Sequence, residues 1–419
     1  MTCIATMQTR PFGNAAKRVR CCSSLLHDEL STMDGIMTES TTTTPIPIPI
    51  LDLSGEIEEL WPQISANVER ILKSGQFILG PEVAAFESEV GKYLGVKHAI
   101  GCNSGTDALV ISLRALGIKP GDEIITSPFS FVATAGAISI IGAKPVFVDI
   151  QPDTFNIDPN AIEAKITGKT KAIIPVHLFG QAADMDEINA VAATHGLKVL
   201  EDVAQAFGGK YKGAIVGTLS DIAAWSFFPT KNLGAYGDGG LITTDDDQLA
   251  DLARMLRVHG SKKRYHNELD GYNSRLDALQ AAILRVKLPY IDQWNAQRRA
   301  AADRYDALLK DVDGIVTPVR SPDAEHVFHQ YTVRVQPTLG EGGLSHSTAR
   351  DAMVKKLNDA SIGAMVYYPI PINRLPVYTH IGGAFKHTDE ACYQVMSLPM
   401  WPGISEEKQR IVVDAIKSI

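Results

Sequence analysis

The chain has 419 residues, 45% of them hydrophobic and 21% charged, with a formal net charge of −8. That length allows one large domain with a smaller companion, and the composition is that of an ordinary soluble globular protein. The acidic balance, without a long basic run, argues against a nucleic-acid-binding surface, and no apolar run reaches the roughly 18 residues that a membrane span needs.

Residues 1–47 differ from the rest. Arg10, Lys17, Arg18 and Arg20 precede the first acid, Asp28, and a threonine run at 41–44 leads into Pro45, Pro47 and Pro49. A continuous apolar core is missing, so a secretory signal is not expected. A disordered or artefactual leader is the expectation, with an organelle transit peptide as the alternative. The five cysteines, Cys3, Cys21, Cys22, Cys102 and Cys392, include no C-x-x-C pair and are odd in number. That fits a reducing, cytoplasmic setting and argues against a disulfide framework or a metal site.

Globular sequence begins near Ile48. Helical periodicity covers 56–74 and stops at Gly75, and a second helix is expected over 83–94. From Ala99 short apolar strands alternate with amphipathic helices. Strands are predicted at 99–102, 124–126, 145–148, 172–176, 198–200, 223–227 and 241–244, with helices at 106–116, 132–141 and 185–196. Such alternation predicts an α/β fold: a mostly parallel seven-stranded sheet sandwiched by helices. Beyond Asp246 helices are expected at 248–256, 276–288, 290–309, 347–360 and 405–416, with one strand at 331–335. The domains are therefore a leader over 1–47, a large domain over 48–300 and a smaller α+β domain over 301–419.

Ligands of parallel sheets bind beyond the carboxyl ends of the strands. That rule selects three segments. The first, Asn103-Ser104-Gly105-Thr106-Asp107, opens a helix whose unpaired N–H groups suit a phosphate, although the same residues also make an ordinary helix cap. No nucleotide-binding glycine signature accompanies it. The second is Glu201-Asp202-Val203-Ala204-Gln205, where a strand-end carboxylate needs a cation or serves as a helix cap. The third is WSFFPTKNLGAYGDGG (225–240), which sets Lys231 between Phe227, Phe228 and Pro229 and a glycine-rich run. Such neighbours strip water from an ammonium and lower its pKa, as a Schiff-base lysine requires, though a buried loop with a snorkelling lysine has the same composition. Phe131, after another strand end, either stacks on a planar ring or packs in the core. Taken together, a phosphate loop, an aromatic, a strand-end aspartate and a hydrophobically flanked lysine form the set that holds pyridoxal phosphate.

With CNSGTDAL, IITSPFSFVATA, PVHLFGQAADMDEI, EDVAQAFGG, SFFPTKNLGAYGDGG and GYNSRLDALQAAIL, the chain resembles the DegT/StrS group of sugar-nucleotide aminotransferases from about Ile50 to its C-terminus. The resemblance implies an aspartate-aminotransferase-like, fold-type I architecture with pyridoxal 5'-phosphate as cofactor. By position, Lys231 is the implied Schiff-base lysine and proton shuttle, Asp202 the partner of the pyridine nitrogen and Gln205 that of the ring hydroxyl. Phe131 would stack on the ring, while Ser104, Gly105, Thr106 and Ser226 would hold the phosphate. Asn273 would reach the phosphate in a neighbouring subunit, which implies a homodimer with shared active sites; a turn residue is the plainer reading.

The implied reaction moves an amino group, from glutamate, onto a nucleotide-linked keto sugar. A sister class that removes a sugar hydroxyl carries histidine in place of the lysine, so Lys231 speaks against a dehydratase. A non-catalytic regulatory role is the third reading. Two positions depart from the common pattern: Phe207 and Asn373 stand where many members have histidine. Asn373, in VYYPIPINRLPVY with Tyr368, resembles a subgroup that makes 3-amino sugars from UDP-linked 2-acetamido-3-keto acids. Arg264, in RVHGSKKRY, is a candidate partner for a diphosphate or sugar carboxylate.

Overall fold

A computed structural model describes residues 47–263, 265–336 and 346–418. Residues 1–46 of the leader and Arg264 lie outside the described residues. Seven strands build the central sheet: β1 (His98–Cys102), β2 (Glu123–Thr126), β3 (Lys144–Phe147), β4 (Thr170–Ile173), β5 (Lys198–Asp202), β6 (Ile222–Ser226) and β7 (Gly240–Thr244). Their order is β1-β7-β6-β5-β4-β2-β3. The pairs from β6 through β5, β4 and β2 to β3 are parallel, while β7 runs antiparallel to both β6 and β1.

Neighbouring residues on a strand point to opposite faces, and here both faces are covered. Ile125, Ile173, Val199, Ala223 and Leu241 join the cluster beneath α1 (Ser54–Ser74), α2 (Pro81–Leu94), α5 (Met185–His195) and α7 (Ala278–Lys287). Ile124, Ala172, Leu200, Ala224 and Ile242 join the cluster beneath α3 (Gly105–Ala115), α4 (Ala133–Ile140) and α6 (Asp247–Leu256). Each fully buried Ile or Leu contributes about 1.5–3 kcal/mol, so a slip of one residue in any strand would exchange the two faces at large cost.

Local signals set the helix ends. Gly75 and Gly196 take left-handed φ values of 68° and 63° at the ends of α1 and α5. Ser104 caps α3 by accepting from the Asp107 N–H at 3.1 Å, and Asp246 caps α6 through the Gln248 and Leu249 N–H groups.

A second, antiparallel sheet comprises β8 (Ile315–Val316), β9 (Tyr331–Val335) and β10 (Val395–Leu398), with β9 in the middle. It packs with α8 (Ile291–Leu309), α9 (His346–Asp359) and α11 (Glu406–Lys417). β10 and the helix before it, α10 (Lys386–Gln394), were not expected from the sequence. Ile48 bridges to Ile362 and is buried with Tyr305, Phe328 and Leu398. Helix α8 runs unbroken through residue 300. Among the described residues no helix is long and apolar enough to cross a membrane.

Candidate active site

The segments that follow four strands meet at one cavity of about 570 Å³. Its lining includes Ser104, Gly105, Thr106, Phe131, Thr134, Asp202, Gln205, Ser226, Lys231, His329, Gln330, Tyr367 and Tyr368. Nine residues singled out in the sequence therefore meet here, from four strand-end segments and from the C-terminal part of the chain.

Lys231 follows β6 on a loop that folds back on itself. Its N–H donates to the Phe228 carbonyl at 2.8 Å, and the Ala235 N–H donates to that of Phe227 at 2.8 Å. Among the described residues its Nζ has no hydrogen-bond or ion-pair partner. Burial lowers its pKa to about 8, and the Asp202 carboxylate opposes that shift. Desolvation is thus the larger effect, and a substantial neutral fraction exists near pH 8.

Asp202 is the last residue of β5, two positions beyond the predicted strand end, and is 4% exposed. One carboxylate oxygen accepts from Thr134 Oγ1 at 2.8 Å and the other from the Ala204 N–H at 3.2 Å. Burial pushes its carboxyl upward, against the Thr134 hydroxyl, the Ala204 N–H, Lys231 and His177. Its other oxygen lone pairs stay available to a cation in the cavity.

Gln205 is held at both ends of its amide: its Oε1 accepts from the Phe179 N–H at 2.7 Å and its Nε2 donates to the Tyr368 hydroxyl at 3.0 Å. Phe131 is not a core residue. Its ring is 56% exposed and lies 6.4 Å from that of Tyr368. The Ser104 hydroxyl caps α3, as one of the two readings held, and the residue also lines the cavity. A Cβ on Gly105 would come within 2.7 Å of Ser226 Cβ, so only glycine lets the α3 N-terminus approach β6 so closely.

The remaining candidates separate. Asn273 is exposed and lines a second recess of about 420 Å³ with Asn103, Arg275 and Gln280; Asp238 lines both spaces. Asn373 does not line the cavity. It is 4% exposed, and its Nδ2 donates to the carbonyls of Gly382 at 3.4 Å and Gly383 at 3.2 Å. The Asn373 Nδ2 group thus secures its own loop. Arg264 lies outside the described residues.

Sequence reasoning missed Thr134, His329 and Gln330. Thr134 sits three residues after Phe131, at the start of a predicted helix, a spacing that could have flagged it. His329 is 8% exposed with an unpartnered Nδ1. Burial, then Lys231 and Arg298, hold its imidazole well below the usual range, so it is neutral. Only its proximity to the predicted strand at 331–335 hinted at this position.

An unpaired, partly desolvated lysine, a buried carboxylate, an open helix N-terminus against Gly105 and an uncovered aromatic ring suit a planar, anionic, aldehyde-bearing group. The residues present therefore fit pyridoxal phosphate. Over residues 59–417 the chain matches the DegT/DnrJ/EryC1/StrS aminotransferase family. It belongs to that family, and its cofactor is pyridoxal 5'-phosphate. It is 50% identical over 374 residues to the pleiotropic regulatory protein of Geobacillus stearothermophilus, covering 88% of this chain and 97% of that one. Identity to the UDP-2-acetamido-2-deoxy-3-oxo-D-glucuronate aminotransferase of Pseudomonas aeruginosa is 45% over 369 residues, covering 88% and 99%. The solved structure of S. venezuelae DesV superposes with a TM-score of 0.84 at 41% identity, covering 89% of this chain and 98% of that one. The expected fold-type I architecture and aminotransferase class are thereby established.

Proposed function

We propose that this aminotransferase moves an amino group from glutamate onto a nucleotide-linked keto sugar, specifically a UDP-linked 2-acetamido-3-keto sugar acid. The observation that carries the reading is Lys231, unpaired and desolvated, in one cavity with the buried Asp202. The 3-oxo-glucuronate in the name of the Pseudomonas aeruginosa relative supports the choice of acceptor.

Lys231 Nζ would hold the cofactor through its aldehyde carbon, and the same amine would serve as the base for the proton on the donor's Cα. Its lowered pKa suits that task, since a base works best when its pKa lies near the working pH. Asp202 would keep a proton on the ring nitrogen, and Thr134 fixes the carboxylate's orientation. Gln205 would meet the ring hydroxyl, and Phe131 would support the ring. Ser104, Gly105, Thr106 and Ser226 receive the phosphate. When bound, the cofactor supplies an electron sink that stabilises a carbanion at Cα. Tyr368, held by Gln205, would stand beside the acceptor, and Phe131, Tyr367 and Tyr368 would screen the reacting atoms from water. Asn273 completes the phosphate site of a second copy in a homodimer.

A panel of UDP- and dTDP-linked 3-keto and 4-keto sugars, offered with glutamate and followed by mass of the amino sugar, tests this. Amination of the UDP-3-keto acid is expected. Amination of 4-keto sugars alone would contradict the acceptor, and failure to deaminate glutamate at all would contradict the donor.

A further inference from the structure

A second lysine lies deep in the molecule behind the Lys231 loop. Lys287, the last residue of α7, is 1% exposed, which for a lysine demands partners. Its Nζ meets Glu56 Oε1 at 2.6 Å and donates to the carbonyl of Gly234. It also lies 4.9 Å from the centre of the Tyr236 ring and 5.8 Å from that of Trp294. Glu56 comes from the first turn of α1, Trp294 from α8, and Gly234 and Tyr236 from the loop that carries Lys231.

The same stretch of loop is stitched down elsewhere. The Tyr236 hydroxyl donates to the Glu56 oxygen that Lys287 contacts, at 3.2 Å. The Tyr236 N–H donates to Gln280 Oε1 at 2.9 Å, and Gln280 lies on α7, two turns before Lys287. On the other side Asn232 Nδ2 donates to Asn295 Oδ1 at 2.8 Å and to the Val327 carbonyl at 3.0 Å. Gly234 is where the loop doubles back, since a Cβ there would collide with the Pro229 carbonyl. Its own buried carbonyl would lack a donor without Lys287.

We propose that Lys287 and Glu56 act as positioning residues, fixing the backbone of Gly234–Tyr236 so that Lys231 projects into the cavity from a rigid loop. This inference rests on the reading of Lys231 given above. Burial and the Asp202 carboxylate account for the state of Lys231 Nζ, so Lys287 acts on it through the backbone rather than through its field. A buried ion pair contributes little net stability compared with apolar residues of the same size, and its better-attested use is to specify one arrangement. Here the arrangement concerns a loop whose lysine must meet a reacting carbon, where misplacement by about 1 Å costs roughly 100-fold in rate.

The test is the double variant Glu56→Gln with Lys287→Met, which removes both charges and strands neither. Two readouts are compared with wild type: amide hydrogen exchange over residues 232–236 in cofactor-free protein, and kcat against KM for glutamate. The expected result is faster exchange confined to those residues, with kcat lowered ~10–100-fold and KM changed little. Wild-type exchange and kcat, or a uniform rise in exchange across the whole chain, would overturn the proposal. If the double variant does not fold, Tyr236→Phe removes one tie without stranding a charge, and local exchange there must still rise; unchanged exchange overturns the proposal. The exchange readout needs no substrate. A wild type that deaminates no glutamate would therefore sink the proposed function while leaving the clamp to be judged on exchange.

Discussion

Two buried lysines make opposite use of the same chemistry. Lys287 is saturated by a carboxylate, a carbonyl and two aromatic rings, whereas Lys231 has no hydrogen-bond or ion-pair partner among the described residues. The carboxylates at the end of β5 repeat the contrast. Glu201 is 0% exposed and takes four donors: the Gly217 and Leu219 N–H groups, the Ser220 hydroxyl and His177 Nε2. His177 Nδ1 accepts from the Ala183 N–H, which leaves its proton on Nε2 for Glu201. Asp202, one residue on, points to the opposite face with two donors and open lone pairs. Saturated groups hold the frame, and unsaturated ones are left to react.

The contrast can be broken by substitution. Lys287→Met leaves the Glu56 carboxylate without its ammonium partner and the Gly234 carbonyl without a donor, and we expect a loss of about 3–5 kcal/mol in denaturant unfolding. Asp202→Asn should leave the unfolding midpoint near that of wild type while lowering kcat by ~10²–10³-fold, the size of effect seen on removing one preorganised charge or donor. Glu201→Gln should do the reverse: about 1–3 kcal/mol of stability lost through mismatched buried donors, with kcat of the folded fraction retained. If Asp202→Asn and Glu201→Gln behaved alike, the division between the two faces of β5 would fail.

The smallest effect concerns Lys231 itself, in cofactor-free protein. Its pKa is lowered from 10.5 to about 8, so below pH 8 the folded state carries the cost of a buried charge. The unfolded chain binds more protons between those values, so stability rises with pH across that window. Lys231→Met should therefore be more stable than wild type at pH 7, on the order of 1–2 kcal/mol, and the gain should shrink as pH climbs from about 8 to 10. A difference that does not vary with pH would mean that Lys231 is not desolvated.

Much of this frame was legible in the residues. Gly75 and Gly196 mark helix ends because few other residues take a left-handed φ cheaply, and apolar runs such as those of β5 and β6 mark buried strands. The rule that ligands sit beyond strand ends then brought Ser104, Asp202 and Lys231 together. Direction was not legible. Gly240–Thr244 has the same apolar pattern whichever way it runs, and only the tertiary fold inserts it antiparallel between β1 and β6. His329 lines the same cavity as Lys231, about a hundred residues earlier, a proximity that no local pattern encodes. Asn373 turned toward Gly382 and Gly383 because its loop offered unpaired carbonyls, a feature of backbone geometry rather than composition.

The central claim is that Lys231 binds the cofactor and moves the proton. It is tested most directly by a single half-reaction with glutamate, comparing reconstituted wild type with Lys231→Ala. The wild type should lose the visible absorbance of the bound cofactor and release one 2-oxoglutarate per site, while Lys231→Ala releases it at least ~10⁴-fold more slowly. A variant that keeps pace with wild type would contradict the account.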